Sequence, residues 1–393
     1  MGITRVQRLR VLHVIASLSP VHGGTTSAVL QMIEGLEAQE IICELATSDD
    51  DGPSRRLSED APERQIAGRH YFGKRSNFYI WTPSMRPWLE AHVSNYDLVH
   101  IHGLFSHVNS LAGRICRHKR VPYIVTPHGM ANLYGMQNKP WRKRISMAFV
   151  ERPLLNGAAI IHMTSRGEAR EFGGLGVTTP VARIPLAVSV EPRGDPAGFH
   201  TRHPETVGKR LAIFIGRLNP IKNLEAAIDA LALPGGTSFH LVVCGDGPAD
   251  YTASLKARAE VRNVADRITW LGFVSGSKKS DALAAGDIYI QASFSESFGM
   301  AAVEAVSAGL PAVLGKGVAI AEDLVEGNLA VLVEPNGKEL AAGMKNAADM
   351  ISCDLDRERG LRFVEQHFSP AAIGAALATL YKEVCQPFRG LAT

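Results

Sequence analysis

Two glutamates, Glu296 and Glu304, stand eight positions apart in the stretch SFSESFGMAAVEAVSAGLPAV (293–313), with Phe298-Gly299-Met300 between them. The apolar run DIYIQA leads in, so the segment reads as strand, loop, helix. Phe298-Gly299-Met300 would open the helix and leave backbone N–H groups free at its start. A carboxylate at Glu304 can accept two hydrogen bonds from a vicinal diol such as a ribose 2′,3′ pair. Glu296, ahead of the helix, would stand where a hexose could lie. The competing reading is a surface helix with incidental acids. Against it, Glu304 sits among Ala302, Val303 and Ala305, where a buried acid needs partners.

Three more loops could hold an anion or a sugar. Ser19-Pro20-Val21-His22-Gly23-Gly24-Thr25 follows a strand and opens a helix, which suits a phosphate or merely a tight turn. It is not the GxGxxG of nicotinamide-cofactor proteins. Thr126-Pro127-His128-Gly129-Met130 places a histidine at a strand's end, either to bond sugar hydroxyls or as a structural residue. Gly216-Arg217-Leu218-Asn219-Pro220-Ile221-Lys222-Asn223 flanks a turn with two cations. Together they could neutralise a diphosphate, or be ordinary solvated charges. All four loops join a strand to a helix, two in each half of the chain. That placement favours an anionic nucleotide ligand.

The elements that would position these loops follow from hydrophobic patterning. Strand candidates in the first half are 11–17, 41–47, 97–101, 123–126 and 159–163; in the second they are LAIFI, FHLVVC, ITWLG, DIYIQA and PAVLG. Helical stripes lie between them, such as Val29, Met32, Ile33 and Leu36, or Leu224, Ala227, Ile228 and Leu231. Alternation of this kind predicts an α/β protein with parallel sheets. The polar stretch DDDGPSRRLSEDAPERQIAG reads as a surface excursion, and EPRGDPAGFHTRHPETVGK (191–209), which lacks periodicity, as an interdomain linker. The expected organisation is residues 1–190 as one Rossmann-like domain, 191–209 as linker, 210–368 as a second such domain, and 369–393 as a terminal helix. Two doubly wound domains with a cleft between them would then bind ligand beyond the carboxyl ends of their strands.

The chain has 393 residues, 46% hydrophobic and 21% charged, as expected of a soluble globular protein of two domains. A net charge of +3 is too small to argue for nucleic acid. Five scattered cysteines, none in a CxxC pair, fit a reducing cytoplasm. The eight-residue apolar run VLHVIASL after Arg5, Arg8 and Arg10 leads into no small-residue cleavage site, and no run is long enough to span a bilayer. KPWRKR (139–144), ahead of ISMAFVERPLL, could lie on an anionic membrane face or be a solvated helix. His100, His102 and His107 cluster in LVHIHGLFSH, but no cysteine or acid completes a metal set, so no metal site is expected.

The sequence resembles the retaining glycosyltransferases of family 4, which have the GT-B fold of two Rossmann-like domains. The residues carrying the resemblance are Ser19 to Gly24, TPHGM (126–130), Thr164-Ser165 with Glu168, GRL-x-x-x-KN (216–223), GDGP (245–248) and the pair Glu296 and Glu304 with its GLP continuation. The resemblance implies that Arg217 and Lys222 bind the diphosphate and Glu304 the ribose. It implies that Glu296 contacts the donor hexose, with backbone contacts from Phe298, Gly299, Met300 and Ala301. His128 would lie near the transferred sugar, Gly23, Gly24 and Gly245 near the phosphates, and Val274 against the base. His102, at a strand's end, is read as an acceptor-side residue, and the final helix is expected to cross back to the N-terminal domain. This sequence departs from the family at Ile184-Pro185-Leu186-Ala187-Val188, which lacks the usual asparagine and glycine, and at Ala292-Ser293 and Ser297.

The implied reaction moves a sugar from a nucleoside-diphosphate sugar to an acceptor hydroxyl with retention of configuration. A glucose-like UDP-sugar is the expected donor, on family frequency alone. A saccharide or lipid-linked saccharide of surface polysaccharide assembly is the expected acceptor. Fixed cations would replace a metal, so no cofactor is expected. The expected location is the cytoplasm, with peripheral membrane contact open. A nucleotide-sugar epimerase and a non-catalytic nucleotide-sugar binding protein remain as alternatives.

Overall fold

The computed structural model describes residues 8–19, 24–52, 55–131, 140–350 and 354–389. The chain divides into two compact units, Met1–Ala187 with Pro370–Thr393, and Val188–Ser369.

The first unit is built on β1 (Arg10–Ile15), β2 (Ile42–Ser48), β3 (Arg69–Phe72), β4 (Leu98–His102), β5 (Tyr123–Thr126), β6 (Ile160–Met163) and β7 (Val181–Arg183). Their order in the sheet is β3-β2-β1-β4-β5-β6-β7, and each pairing is parallel. Central strands such as LVHIH are buried along their whole length, because helices cover both faces of a parallel sheet. Helix Gly24–Glu37 turns Ala28, Val29, Met32 and Leu36 inward. The terminal helix Pro370–Arg389 belongs to this unit and packs on that helix at a close crossing. A Cβ on Gly35 would strike the Pro370 carbonyl, and one on Gly374 would strike Gly35.

The second unit carries β8 (Arg210–Ile215), β9 (Phe239–Cys244), β10 (Ile268–Gly272), β11 (Ile288–Gln291), β12 (Ala312–Gly315) and β13 (Ala330–Val333), in the parallel order β10-β9-β8-β11-β12-β13. In each unit the first strand lies beside the fourth: β1 beside β4, β8 beside β11. The connections run in opposite directions from that pair, so the loops at its carboxyl end part and leave a crevice.

Three strands were not anticipated, namely β3, β7 and β13, and all three are sheet edges. They span three or four residues with no fully buried run, so neither alternation nor apolar length marks them. The segment 191–209 is not a free linker. It forms helix Pro196–Arg202, which buries Phe199, and a 3₁₀ turn at Pro204–Thr206, both in the second unit. Asp281 fastens it, accepting from the Asp195 N–H (2.7 Å) and the Arg202 guanidinium (2.6 Å). A seven-residue helix with one buried anchor shows no period to read. The polar excursion is also partly inside. Asp49 and Asp50 are buried, Asp50 paired with Lys74 and Asp49 accepting from the Lys74 N–H (2.6 Å).

Candidate functional site

In the second unit the crevice between β8 and β11 is where the charged motif residues emerge. Arg217 stands exposed just beyond β8. Lys222 ends a short 3₁₀ turn, Pro220–Lys222, begun by Asn219, whose side chain accepts from the Lys222 N–H (3.3 Å). Beyond β11, Glu296 forms an ion pair with Lys222 through Oε2. The same oxygen accepts from Gln291 Nε2 (2.9 Å), while Gln291 Oε1 accepts from the Tyr289 hydroxyl (3.1 Å). Burial, reinforced by the charges of Glu296 and Glu304, pushes the Tyr289 hydroxyl pKa well up, so Tyr289 stays a donor. Glu296 Oε1 has no partner among the described residues. One oxygen is therefore held and the other can accept from a ligand.

The loop carrying Lys222 is fixed from behind. Asn223 takes the left-handed conformation (φ 53°), and its amide donates to the carbonyls of Ala292 (3.0 Å) and Pro335 (2.8 Å). Phe294 N–H donates to the Ile221 carbonyl (2.9 Å). The two loops that bear Lys222 and Glu296 are thus tied to each other by backbone and side-chain hydrogen bonds.

Helix Met300–Ser307 follows, with Gly299 as its left-handed N-cap (φ 112°), where a Cβ would crowd Val318 and Ile320. Phe298 is buried against Phe368, so only its backbone can meet a ligand. Met300, Ala301, Glu304 and Ser307 share the accessible face, while Ala302, Val303, Ala305 and Val306 face the core. Glu304 lines a cavity of about 150 Å³ and pairs with Lys279 (3.0 Å). Val274, just past β10, lines a larger cavity of about 620 Å³ with Trp270, Phe273 and Lys278. Neither cavity is lined by Arg217 or Lys222. Gly245 has a packing reason of its own, because a Cβ there would strike the Gly216 carbonyl. Gly24 begins its helix in an exposed position, and Gly23 lies outside the described residues.

In the first unit His128 follows β5 in the left-handed conformation (φ 52°) and is buried. Its loop is held by Glu168, a buried carboxylate that accepts from the Gly129 N–H (2.6 Å) and from Thr164 N–H and hydroxyl (2.7 and 2.6 Å). Burial pushes the Glu168 carboxyl pKa up, against the pull of those hydrogen bonds.

Two family models match the chain. "Glycosyl transferase 4-like domain" covers residues 23–187 and "Glycosyl transferases group 1" covers residues 199–352, most of the sequence between them. The chain belongs to the GT-B glycosyltransferases. A D-inositol 3-phosphate glycosyltransferase of Corynebacterium glutamicum is 25% identical over 391 residues, 92% of each chain. A GDP-mannose:cellobiosyl-diphosphopolyprenol α-mannosyltransferase of Komagataeibacter xylinus is 22% identical, covering 96% of this chain and 94% of that one. Among solved structures, Anabaena HepE with UDP superposes with a TM-score of 0.76 at 18% identity, covering 95% of this chain and all (100%) of that one.

Of the residues this glycosyltransferase was expected to use, the structure brings Lys222 and Glu296 together and shows Glu304 beside an unexpected lysine, Lys279. Gln291, Tyr289 and Asn223 were missed, because nothing in their local sequence shows which distant loop they bind. His102 is buried, with both ring nitrogens turned to other histidines, His13 (3.0 Å) and His128 (3.2 Å), which leaves none for an acceptor. His107 stands apart from that cluster, its Nδ1 accepting from the Thr82 N–H (3.3 Å).

The cluster is completed instead by His13 and His162. His13, His100 and His102 offer ring nitrogens within 4.8 Å of one another, a spacing a metal could use. His100, however, has both nitrogens engaged in a file whose protons can all be assigned. The Ile184 carbonyl can only accept, so His162 donates through Nε2 (2.7 Å). Burial lowers His162 to a pKa of about 4, so it is neutral and its Nδ1 accepts from the Thr126 hydroxyl (2.8 Å). Thr126 Oγ1 in turn accepts from His100 Nε2 (2.7 Å), and His100 Nδ1 accepts from the Tyr381 hydroxyl (2.5 Å). The file ties the terminal helix to β4, β5 and β6.

Proposed function

We propose that this glycosyltransferase moves a hexose from a nucleoside-diphosphate sugar of the UDP type to a hydroxyl of a saccharide or lipid-linked saccharide, with retention and without a metal. The observation that carries the reading is the Lys222–Glu296 pair at the crevice between β8 and β11. Charge accumulates on the departing diphosphate as the glycosidic bond breaks, and Arg217 and Lys222 stabilise it as preorganised cations. Glu296, held through one oxygen, orients the hexose with the other. Glu304 takes the ribose diol and exchanges part of its hold on Lys279 for it. The departing phosphate helps deprotonate the acceptor on the same face, since Glu296 is committed to Lys222 and Gln291 rather than poised as a nucleophile. His128 lies near the transferred sugar. The UDP and UDP-glucose complexes of Anabaena HepE support a UDP-hexose donor.

A lipid-linked acceptor is supported by one surface. Trp141, Ile145 and Phe149 recur at four-residue spacing and are 63%, 53% and 78% exposed, with Arg142, Lys143 and Arg144 among them. Basic residues around an exposed apolar row suit an anionic bilayer face. No helix among the described residues is long and apolar enough to cross a membrane.

A thermal-shift panel of UDP-, GDP- and ADP-sugars tests the donor, because a ligand specific to the folded state raises its stability. UDP-glucose should give the largest rise; a rise with GDP-mannose alone would replace the UDP assignment. Turnover should persist in excess EDTA. Incubation with donor alone should yield no epimer.

A further inference from the structure

Beside the file anchored at Ile184 runs a second one, His13–His102–His128, in which no carbonyl fixes the direction. His13 Nδ1 lies 3.0 Å from His102 Nε2, and His102 Nδ1 lies 3.2 Å from His128 Nε2. The rings are nearly parallel along the file, at 12° and 28°. Burial keeps all three imidazoles neutral, with His13 and His128 lowered to about 3 and His102 well below its ordinary value. Three N–H protons are then shared among six nitrogens. Each of the two hydrogen bonds takes one, and the third must sit at an end of the file.

The ends are unlike. His13 Nε2 is sealed, buried with no hydrogen-bond partner among the described residues. A proton there would be a buried donor without an acceptor, the rarer of the two kinds of orphan in folded proteins. The other end is His128 Nδ1, on the loop after β5 that the Glu168 carboxylate holds through Gly129. We propose that the third proton rests on His128 Nδ1, so that His13 and His102 act as positioning residues that present His128 to the sugar as a hydrogen-bond donor. This rests on the reading of His128 as the residue near the transferred hexose. A neutral donor suits that place: it can bond a sugar oxygen without setting an imidazolium beside a carbon that becomes positive in the transition state. The metal alternative for His13, His100 and His102 would consume lone pairs that the two files use.

The test is two-bond ¹H–¹⁵N correlation on histidine-labelled enzyme at neutral pH, assigned with single His→Gln variants. His13, His102 and His128 should be Nδ1–H tautomers, and His100 and His162 Nε2–H. In His102→Leu, His128 loses the donor to its Nε2 and should switch tautomer. Turnover should then fall about five- to tenfold, with donor KM within about twofold, the scale of one neutral hydrogen bond. His102→Gln, whose amide can donate to His128 and accept from His13, should recover most of that loss. An Nε2–H His128 in wild-type enzyme that His128→Ala inactivates would overturn this proposal alone. So would equal turnover in the Leu and Gln variants, or an equivalent of tightly bound zinc in the purified protein. Full turnover in His128→Ala would overturn the site reading and this proposal together.

Discussion

Lys222 and Glu296 are a pair in which each side chain keeps the other ready. Glu296 draws the ammonium into the crevice, and Lys222 with Gln291 leaves Glu296 one oxygen to offer. Replacing Lys222 by alanine releases Glu296 and, on the function proposed above, removes a preorganised cation from the departing diphosphate. Turnover should fall about 10²- to 10³-fold, as for loss of one charge-stabilising contact. Glu296→Ala should cost the same order, and wild-type transfer in either variant would refute the assignment. Gln291→Leu should act more mildly on the same step, since it loosens Glu296 without removing a charge. The charged members of this site were legible because their types and spacing announce chemistry. Their supports were not. Asn223 bonds carbonyls 69 and 112 residues away, a relation that exists only after folding. Glu168 could be read as part of a motif, yet its hold on the loop of His128, 39 residues off through Gly129, could not.

At the scale of elements, burial decides what a sequence shows. The ten strand candidates drawn from apolar runs correspond to β1, β2, β4, β5, β6, β8, β9, β10, β11 and β12. The three left out are edges with a single partner and incomplete cover, so their residues need not be apolar. The terminal helix announced itself by Ser369-Pro370, but its seat rests on two glycines far apart in the chain, Gly35 and Gly374. At that crossing the backbones touch, and there is no side chain to give way. Gly374→Val should destabilise the first unit by about 1–3 kcal/mol or more, the cost of overpacking. Tyr381→Phe on the same helix should cost about 1–3 kcal/mol, because His100 Nδ1 is left buried without its donor. Chemical denaturation followed in each variant measures both. A Gly374→Val protein as stable as wild type would show that the two helices do not meet as described.

The whole molecule distributes its titratable burden unevenly, and acid should expose this. Five histidines of the first unit, His13, His100, His102, His128 and His162, are buried, and burial lowers the pKa of each in the folded state. Above the ordinary histidine value of 6.5 neither state is charged and nothing is at stake. As pH falls through 6.5 the unfolded chain binds protons that the folded unit refuses, so stability drops by about 1.4 kcal/mol per histidine per pH unit. At pH 5 that is about 2 kcal/mol each and about 10 kcal/mol for five, comparable with the whole stability of an ordinary domain. Glu151 and Glu168, whose carboxyls burial pushes up, take protons first in the folded state and offset part of the loss as pH approaches 4.5. In the second unit His240 is buried as well, and burial lowers its pKa while the nearby Glu205 charge pulls the other way, so among the described residues that unit carries one buried histidine against the five of the first. The first unit should therefore unfold near about pH 5 while the second persists. The four tryptophans make this measurable, since Trp81, Trp88 and Trp141 belong to the first unit and Trp270 to the second. In a Trp270→Phe variant, fluorescence reports the first unit alone, and in a variant with Trp81, Trp88 and Trp141 all replaced by phenylalanine it reports the second. A first-unit signal unchanged down to pH 4 would mean that the histidine files accept protons in place. Neutral, buried imidazoles would then not be what holds β4, β5 and β6 to the terminal helix.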